Sequence, residues 1–255
     1  MIYHTGITPP PEIPNNPFKL FHTPTIAIEF KHHHIPNDIS EFLQSQPLAV
    51  IMSKNAVNGL KNWLEKYNLS IDFFQKIKFW TVGERTHQHL LDELGLESWH
   101  PTIMTGEGII QSLRGSNLFP ILLISAHEPI QAFIESLQTE KIQFFHFPLY
   151  KTRIVENSEF TTHFIDNENN IVVCTSPSTV EGILNCLSKS NLLDMKVKLV
   201  SIGPTTSNAI LEKNGKVFYE AKNQSISSLY TELIHLNFLM KDQHLGYLTH
   251  LNPLN

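Results

Sequence analysis

Hydroxyl residues and glycines recur in this chain where short apolar runs give way to helix-length segments, an arrangement suited to holding an anion. Ser53 stands in Ile51-Met52-Ser53-Lys54-Asn55-Ala56-Val57 and Ser176 in Cys174-Thr175-Ser176-Pro177-Ser178-Thr179-Val180. Gly83 follows in Thr81-Val82-Gly83-Glu84-Arg85-Thr86, and Gly203 in Ser201-Ile202-Gly203-Pro204-Thr205-Thr206. A helix that begins directly after a strand has N–H groups without intrahelical acceptors, and a hydroxyl residue at that point can cap them. Pro177 and Pro204 fall near the first turn, where a missing N–H costs nothing. The same free N–H groups, with the partial positive charge of the helix start, also attract carboxylates. Residue types alone leave capping and ligand binding both open. The glycines permit tight turns and close approach of a ligand, but neither belongs to a Gly-x-Gly-x-x-Gly or phosphate-loop pattern, so no nucleotide cofactor is expected.

These segments form two copies of one pattern. In the first, Gly83 is followed twelve residues later by Gly95, and then by Gly106-Glu107-Gly108-Ile109-Ile110-Gln111-Ser112-Leu113. In the second, Gly203 is followed at the same interval by Gly215, and then by Ser225-Ile226-Ser227-Ser228-Leu229. Two copies of this length imply two similar domains; a solenoid would need three or more shorter repeats.

The elements that must position these residues are strands and helices in alternation. Apolar runs rich in β-branched residues occupy 48–52, 77–82, 121–124, 142–147, 171–175 and 197–202. Continuous apolar strands suit parallel sheets covered on both faces. Between them Ala56, Val57, Leu60, Trp63 and Leu64 mark one helical stripe, and Val180, Ile183, Leu184 and Leu187 another. The fold expected is α/β.

Several functions are disfavoured. With a net charge of −5 and no Lys/Arg-rich run, the chain lacks a surface for many phosphates, so nucleic acid is not an expected partner. No apolar stretch has the length of a membrane span, and the N-terminus lacks the basic start and apolar run of a signal peptide; a soluble cytoplasmic protein is expected. Cys174 and Cys186 give neither a disulfide framework nor zinc spacing and read as reduced core residues. In His32-His33-His34 neighbouring side chains on an extended segment point alternately and cannot all meet one ion, so no metal site is expected. Asp92 with Glu93, and Asp166 with Glu168, read as solvated faces.

The four segments around Ser53, Gly83, Ser176 and Gly203, in that order and with Tyr150 ending the strand between the halves, resemble the signature segments of uroporphyrinogen-III synthases over roughly residues 45–235. The resemblance implies two flavodoxin-like parallel-sheet domains joined by two extended linker strands. Residues 1–25 with 156–255 would form a first, discontinuous domain; 26–34 and 149–155 the linkers; and 35–148 an inserted second domain. It implies a monomeric lyase of tetrapyrrole (haem) biosynthesis that closes the linear tetrapyrrole hydroxymethylbilane to uroporphyrinogen III, with ring D inverted and without metal or cofactor. Ser53, Thr86, Ser176, Ser178, Thr205 and Thr206 would hold substrate carboxylates, and Tyr150 would be catalytic. The alternative is a family-like module that binds a tetrapyrrole, another polyanion or a protein partner without turnover.

The N-terminus departs from this pattern. The family opens with a strand ending in Thr-Arg, then a helix and a second strand. Here Tyr3-His4-Thr5-Gly6 runs into Pro9-Pro10-Pro11, Pro14 and Pro17, which forbid a normal helix. The arginine is absent, and one helical cover of the first sheet is expected to be missing.

Overall fold

Strands that are apolar on both sides need cover on both faces, and the two sheets of this protein receive it from helices. The computed structural model describes residues 1–12, 17–32, 37–74, 76–114 and 119–236. The first elements are β1 (Ile2–His4), β2 (Leu20–His22), β3 (Ile26–Phe30), α1 (Asn37–Gln44), β4 (Leu48–Ile51), α2 (Lys54–Lys66), β5 (Lys78–Thr81), α3 (Glu84–Leu94) and β6 (Ser98–Trp99). There follow α4 (Gly106–Leu113), β7 (Ile121–Ala126), α5 (Gln131–Thr139), β8 (Phe144–Ile154), α6 (Ser158–His163), β9 (Ile171–Cys174), α7 (Pro177–Cys186), β10 (Lys198–Ser201), α8 (Pro204–Glu212) and β11 (Val217–Glu220). A last helix, α9, covers residues 226–236.

The chain divides into two compact units, one of Met1–Ala27 with Arg153–Asn255 and one of Ile28–Thr152. The sheet of the first has strand order β2-β1-β9-β10-β11, all parallel, which is the flavodoxin-like 2-1-3-4-5 arrangement. The second sheet runs β6-β5-β4-β7-β8-β3, parallel from β6 to β8. All six apolar runs appear as strands. The run at 142–147 enters β8 only at Phe144, because Ile142 belongs to the turn before it and packs with Leu137 of α5.

Alternation along the central strands explains their unbroken apolarity. In β4, Ala49 and Ile51 face the stripe Ala56, Val57, Leu60, Trp63 and Leu64 of α2, while Leu48 and Val50 face Ile109 and Ile110 of α4 and Phe133 and Leu137 of α5. In β9, Val172 and Cys174 face Val180, Ile183 and Leu184 of α7; Ile171 and Val173 face Leu229, Tyr230 and Leu233 of α9. Cys174 is fully buried, its thiol pushed up to about 12 by desolvation, and both cysteines are free.

The proline-rich connection between β1 and β2 contains no helix among its described residues, although a parallel pair usually needs a helical crossover. Aromatic packing covers β1 on one face instead. Tyr3 stacks on Phe21 at 5.4 Å between ring centroids and meets Phe160 edge-on at 6.0 Å, and its hydroxyl donates to the His163 carbonyl at 2.6 Å. The other face carries Ile2 and His4, under α9.

His4 ties the proline-rich segment down. Its Nε2 lies 2.9 Å from the Thr8 carbonyl and its Nδ1 3.0 Å from the Tyr230 hydroxyl, so a neutral ring protonated at Nε2 satisfies both. The ring is fully buried. Burial, reinforced by nearby His22 and partly opposed by the Thr8 bond, lowers its pKa from 6.5 to about 4. The unfolded chain therefore binds the proton first as pH falls. Stability should drop between pH 6.5 and about 4 and level off below, by on the order of 3 kcal/mol. Urea unfolding across this range, compared with His4→Gln, checks it: the difference between the two proteins should lose its pH slope above 6.5.

Candidate active site

In open α/β sheets ligands bind beyond the carboxyl ends of the strands, at the crevice where the strand order reverses. In the second unit that point lies between β4 and β7, and in the first between β1 and β9. Ser53 follows β4 and Ser176 follows β9, so each stands at its unit's reversal point. Both take the same extended backbone, with φ −167 and ψ 164 at Ser53 and φ −165 and ψ 164 at Ser176.

Ser53 is the N-cap of α2, its Oγ accepting from the Ala56 N–H at 3.1 Å. The same oxygen lies 3.0 Å from the Tyr150 hydroxyl. A bulge in β8 brings the two together. Ser125 pairs with Pro148 and Ala126 with Tyr150, which leaves Leu149 as the extra residue. Without it Leu149 and Tyr150 would point to opposite faces; with it both pack into the core beside α2. Pro148 has no N–H for a ladder, and the bulge is where an interior strand tolerates that lack. Gly59 of α2 makes the room, since a Cβ there would stand 2.8 Å from Leu149 Cβ. Tyr150 is 8% exposed, and burial raises its pKa against the opposing Ser53 hydrogen bond, so the phenol stays protonated at neutral pH.

Ser176 caps α7 in a reciprocal box. Its Oγ accepts from the Thr179 N–H at 3.3 Å, and Thr179 Oγ1 accepts from the Ser176 and Thr175 N–H groups at 3.2 and 3.1 Å. Pro177 is the first helical residue and Ser178, half-buried, the second. Beside this turn runs the end of β1, where Thr5 donates to the Val173 carbonyl at 2.8 Å. A Cβ on Gly6 would stand 2.6 Å from Thr175 Oγ1 and 3.0 Å from His4 Nε2, so a side chain at residue 6 would oblige its neighbours to shift.

The second pair of strand ends corrects the capping expectation. The N-caps of α3 and α8 are Gly83 and Gly203, which offer no side-chain cap. Thr86 and Thr206 are the third residues of their helices, 6% and 3% exposed, and their N–H groups bond back to the glycine carbonyls at 3.0 Å in both copies. Thr205 is exposed. The copies match closely. The Val82 N–H reaches the Ile51 carbonyl and the Ile202 N–H the Cys174 carbonyl, each at 3.1 Å, and the order of buried, intermediate and exposed residues over 51–57 and 81–86 recurs over 174–180 and 201–206. Within the second unit the fold brings Ser53 and Tyr150 into contact and packs α3, with Thr86, against α2; within the first it packs α8, with Thr205 and Thr206, against α7, with Ser176 and Ser178.

Thr179, whose side chain completes the Ser176 cap, is a residue that sequence reasoning misses. Its counterpart in the repeat is Ala56, so the repeat carries no signal for it. Among the described residues no group of three His, Cys, Asp or Glu converges to hold a metal ion. His32 contacts Asn62 Oδ1 at 2.6 Å, and His33 and His34 lie outside the described residues. Of the carboxylates read as solvated, Glu93 also pairs with Lys61 at 2.8 Å, and Asp166 also accepts the Lys196 N–H at 2.7 Å and the Val197 N–H at 3.2 Å. Among the described residues no helix is long and apolar enough to cross a membrane.

Comparison with known proteins gives this geometry its context. The family model described as uroporphyrinogen-III synthase HemD matches residues 14–231. No curated protein sequence matches the chain. The crystal structure of uroporphyrinogen-III synthetase from Helicobacter pylori is similar at a TM-score of 0.64 and 20% identity, over 92% of this chain and 98% of that one. A mutant uroporphyrinogen III synthase from the extremely thermophilic bacterium Thermus thermophilus gives 0.57 and 15%, over 91% and 96%. At such identities the structures speak to the fold alone, which is the same two-unit α/β architecture. The family model spans most of the sequence, including both serine-capped strand ends and Tyr150, and the chain belongs to the uroporphyrinogen-III synthase family.

Proposed function

We infer that this protein is a lyase that closes hydroxymethylbilane to uroporphyrinogen III with inversion of ring D, in tetrapyrrole and haem biosynthesis. The observation that carries the reading is the family match over residues 14–231. The substrate is a linear tetrapyrrole fringed with carboxylates, and the helix starts at Ser53, Thr86, Ser176, Ser178, Thr205 and Thr206 supply N–H and hydroxyl donors suited to them. We also take the protein to work without nucleic acid, in keeping with its net charge of −5 and the lack of a Lys/Arg-rich run, and, by resemblance to the family, as a cytoplasmic monomer.

Tyr150 is the residue assigned to the chemical step. Ser53 Oγ accepts from the Ala56 N–H, so its own proton is available to the Tyr150 oxygen 3.0 Å away. With the serine as donor in that bond, the phenol proton is left for the substrate. As the C–O bond of the ring A hydroxymethyl group breaks, the electron pair of that bond leaves with oxygen, the pyrrole nitrogen makes good the loss at carbon, and the phenol hydrogen bond stabilises the departing hydroxyl. A chain of hydrogen bonds from backbone to serine to tyrosine strengthens each member. The remainder of catalysis is positioning of rings A and D and electrostatic support for developing charge.

Purified protein should convert freshly generated hydroxymethylbilane to the type III isomer in the presence of a chelator, as resolved by chromatography of the oxidised products; the type I isomer alone would refute the assignment. Tyr150→Phe should keep its melting temperature and lose about tenfold in turnover, the equivalent of about 1.4 kcal/mol. Ser53→Ala should lose both the cap, at about 0.5–2 kcal/mol of stability, and the support of the phenol. In the double variant the turnover losses should therefore add to less than their sum. Full additivity in that cycle would show that serine and tyrosine act separately.

A further inference from the structure

Among the exposed apolar side chains, Ile103 and Met104 are 57% and 55% exposed and belong to the loop between β6 and α4. That loop leaves the carboxyl edge of the sheet, where Gly83 opens α3. Two glycines hold it in place. A Cβ on Gly108 would stand 1.9 Å from the Ile103 carbonyl oxygen, so the first turn of α4 can close on the loop only because residue 108 has no side chain. A Cβ on Gly83 would stand 3.1 Å from both Cβ and Sδ of Met104, so the thioether chain lies directly against the start of α3. Thr105 caps α4 through the Gly108 N–H at 3.1 Å, which anchors the far side of the loop. Ile103 and Met104 are thus presented to water by a braced turn.

The repeat places a different residue at the equivalent point. Gln224 immediately precedes Ser225, whose carbonyl accepts from the Leu229 N–H, as the Thr105 carbonyl accepts from the Ile109 N–H. A Cβ on Gly203 would stand 3.0 Å from Gln224 Cγ. One loop architecture therefore carries a thioether over one glycine-started helix and an amide over the other.

We propose that Met104, with Ile103, is a substrate-contacting residue whose apolar surface takes the face of a pyrrole ring at the start of α3. The inference rests on the synthase reading and adds to it an apolar contact in the second unit, at a point where the repeat carries an amide instead. A braced, exposed apolar pair at the carboxyl edge of the sheet suits the flat apolar rings of a tetrapyrrole.

Met104→Gln gives the second unit the side chain that the repeat carries at residue 224, at similar length. Steady-state kinetics with hydroxymethylbilane should show KM raised by about tenfold with most of the effect absent from kcat, and an unchanged melting temperature because the side chain is exposed. Met104→Leu, apolar and close in volume, should restore KM to within about twofold of wild type. A Met104→Gln KM within twofold of wild type overturns the proposal, as does a Met104→Leu KM as impaired as that of the glutamine variant. Wild-type protein that forms only the type I isomer would be a separate result: it removes the synthase reading and this inference with it.

Discussion

A helix that starts immediately after a buried parallel strand has N–H groups that its own backbone cannot satisfy, and the placement of every candidate residue follows from how those groups are handled. At α2 and α7 a serine side chain takes one of them, from the Ala56 and Thr179 N–H respectively. At α3 and α8 a glycine leaves them to other partners. Because the strands before these helices are apolar on both faces, the helices must lie along the sheet, and their starts gather at its carboxyl edge. The donor-rich edge is a by-product of covering a parallel sheet; the side chains set upon it make it selective.

The parts of the fold legible in sequence are those in which one physical signal dominates. Strands β4, β5, β7, β8, β9 and β10 are apolar runs, the stripe on α2 has helical spacing, and the repeat is written in Ser, Gly and Thr at matching intervals. Strands β6 and β11 carry no such signal: Ser98–Trp99 is too short to show a period, and Val217–Glu220 alternates half-buried and exposed residues. Neither is the pairing of Ser53 with Tyr150 legible. It depends on Leu149 being an extra residue in β8 and on Gly59 admitting it, and a bulge leaves no periodic trace in a strand that already contains a proline. The hydroxyls at Thr86 and Thr206 resemble caps in sequence, because nothing there shows that each helix already begins at the residue after the glycine.

The two units share the backbone geometry that the repeat implies, yet their side chains diverge at the strand ends. Ser53 faces a tyrosine, while Ser176 is locked in a box with Thr179. Lys54 is the first residue of α2, while Pro177 is the first of α7. The helix dipole disfavours a cation at its N-terminus, so the second unit holds positive charge in a place that an anionic ligand would relieve, and α7 does not. The two serine-capped helix starts therefore differ in charge at their first residue.

The contact between Gly6 and Thr175 couples separate parts of the first unit. A Cβ at residue 6 would fall 2.6 Å from Thr175 Oγ1 and 3.0 Å from the ring of His4, so a side chain there obliges its neighbours to move. His4 in turn holds the Thr8 carbonyl and the Tyr230 hydroxyl, so yielding space on that side loosens the attachment of both the proline-rich segment and α9. Residue 6 is therefore epistatic with residues 4 and 175: what a side chain there costs is set by how far those two neighbours can give way.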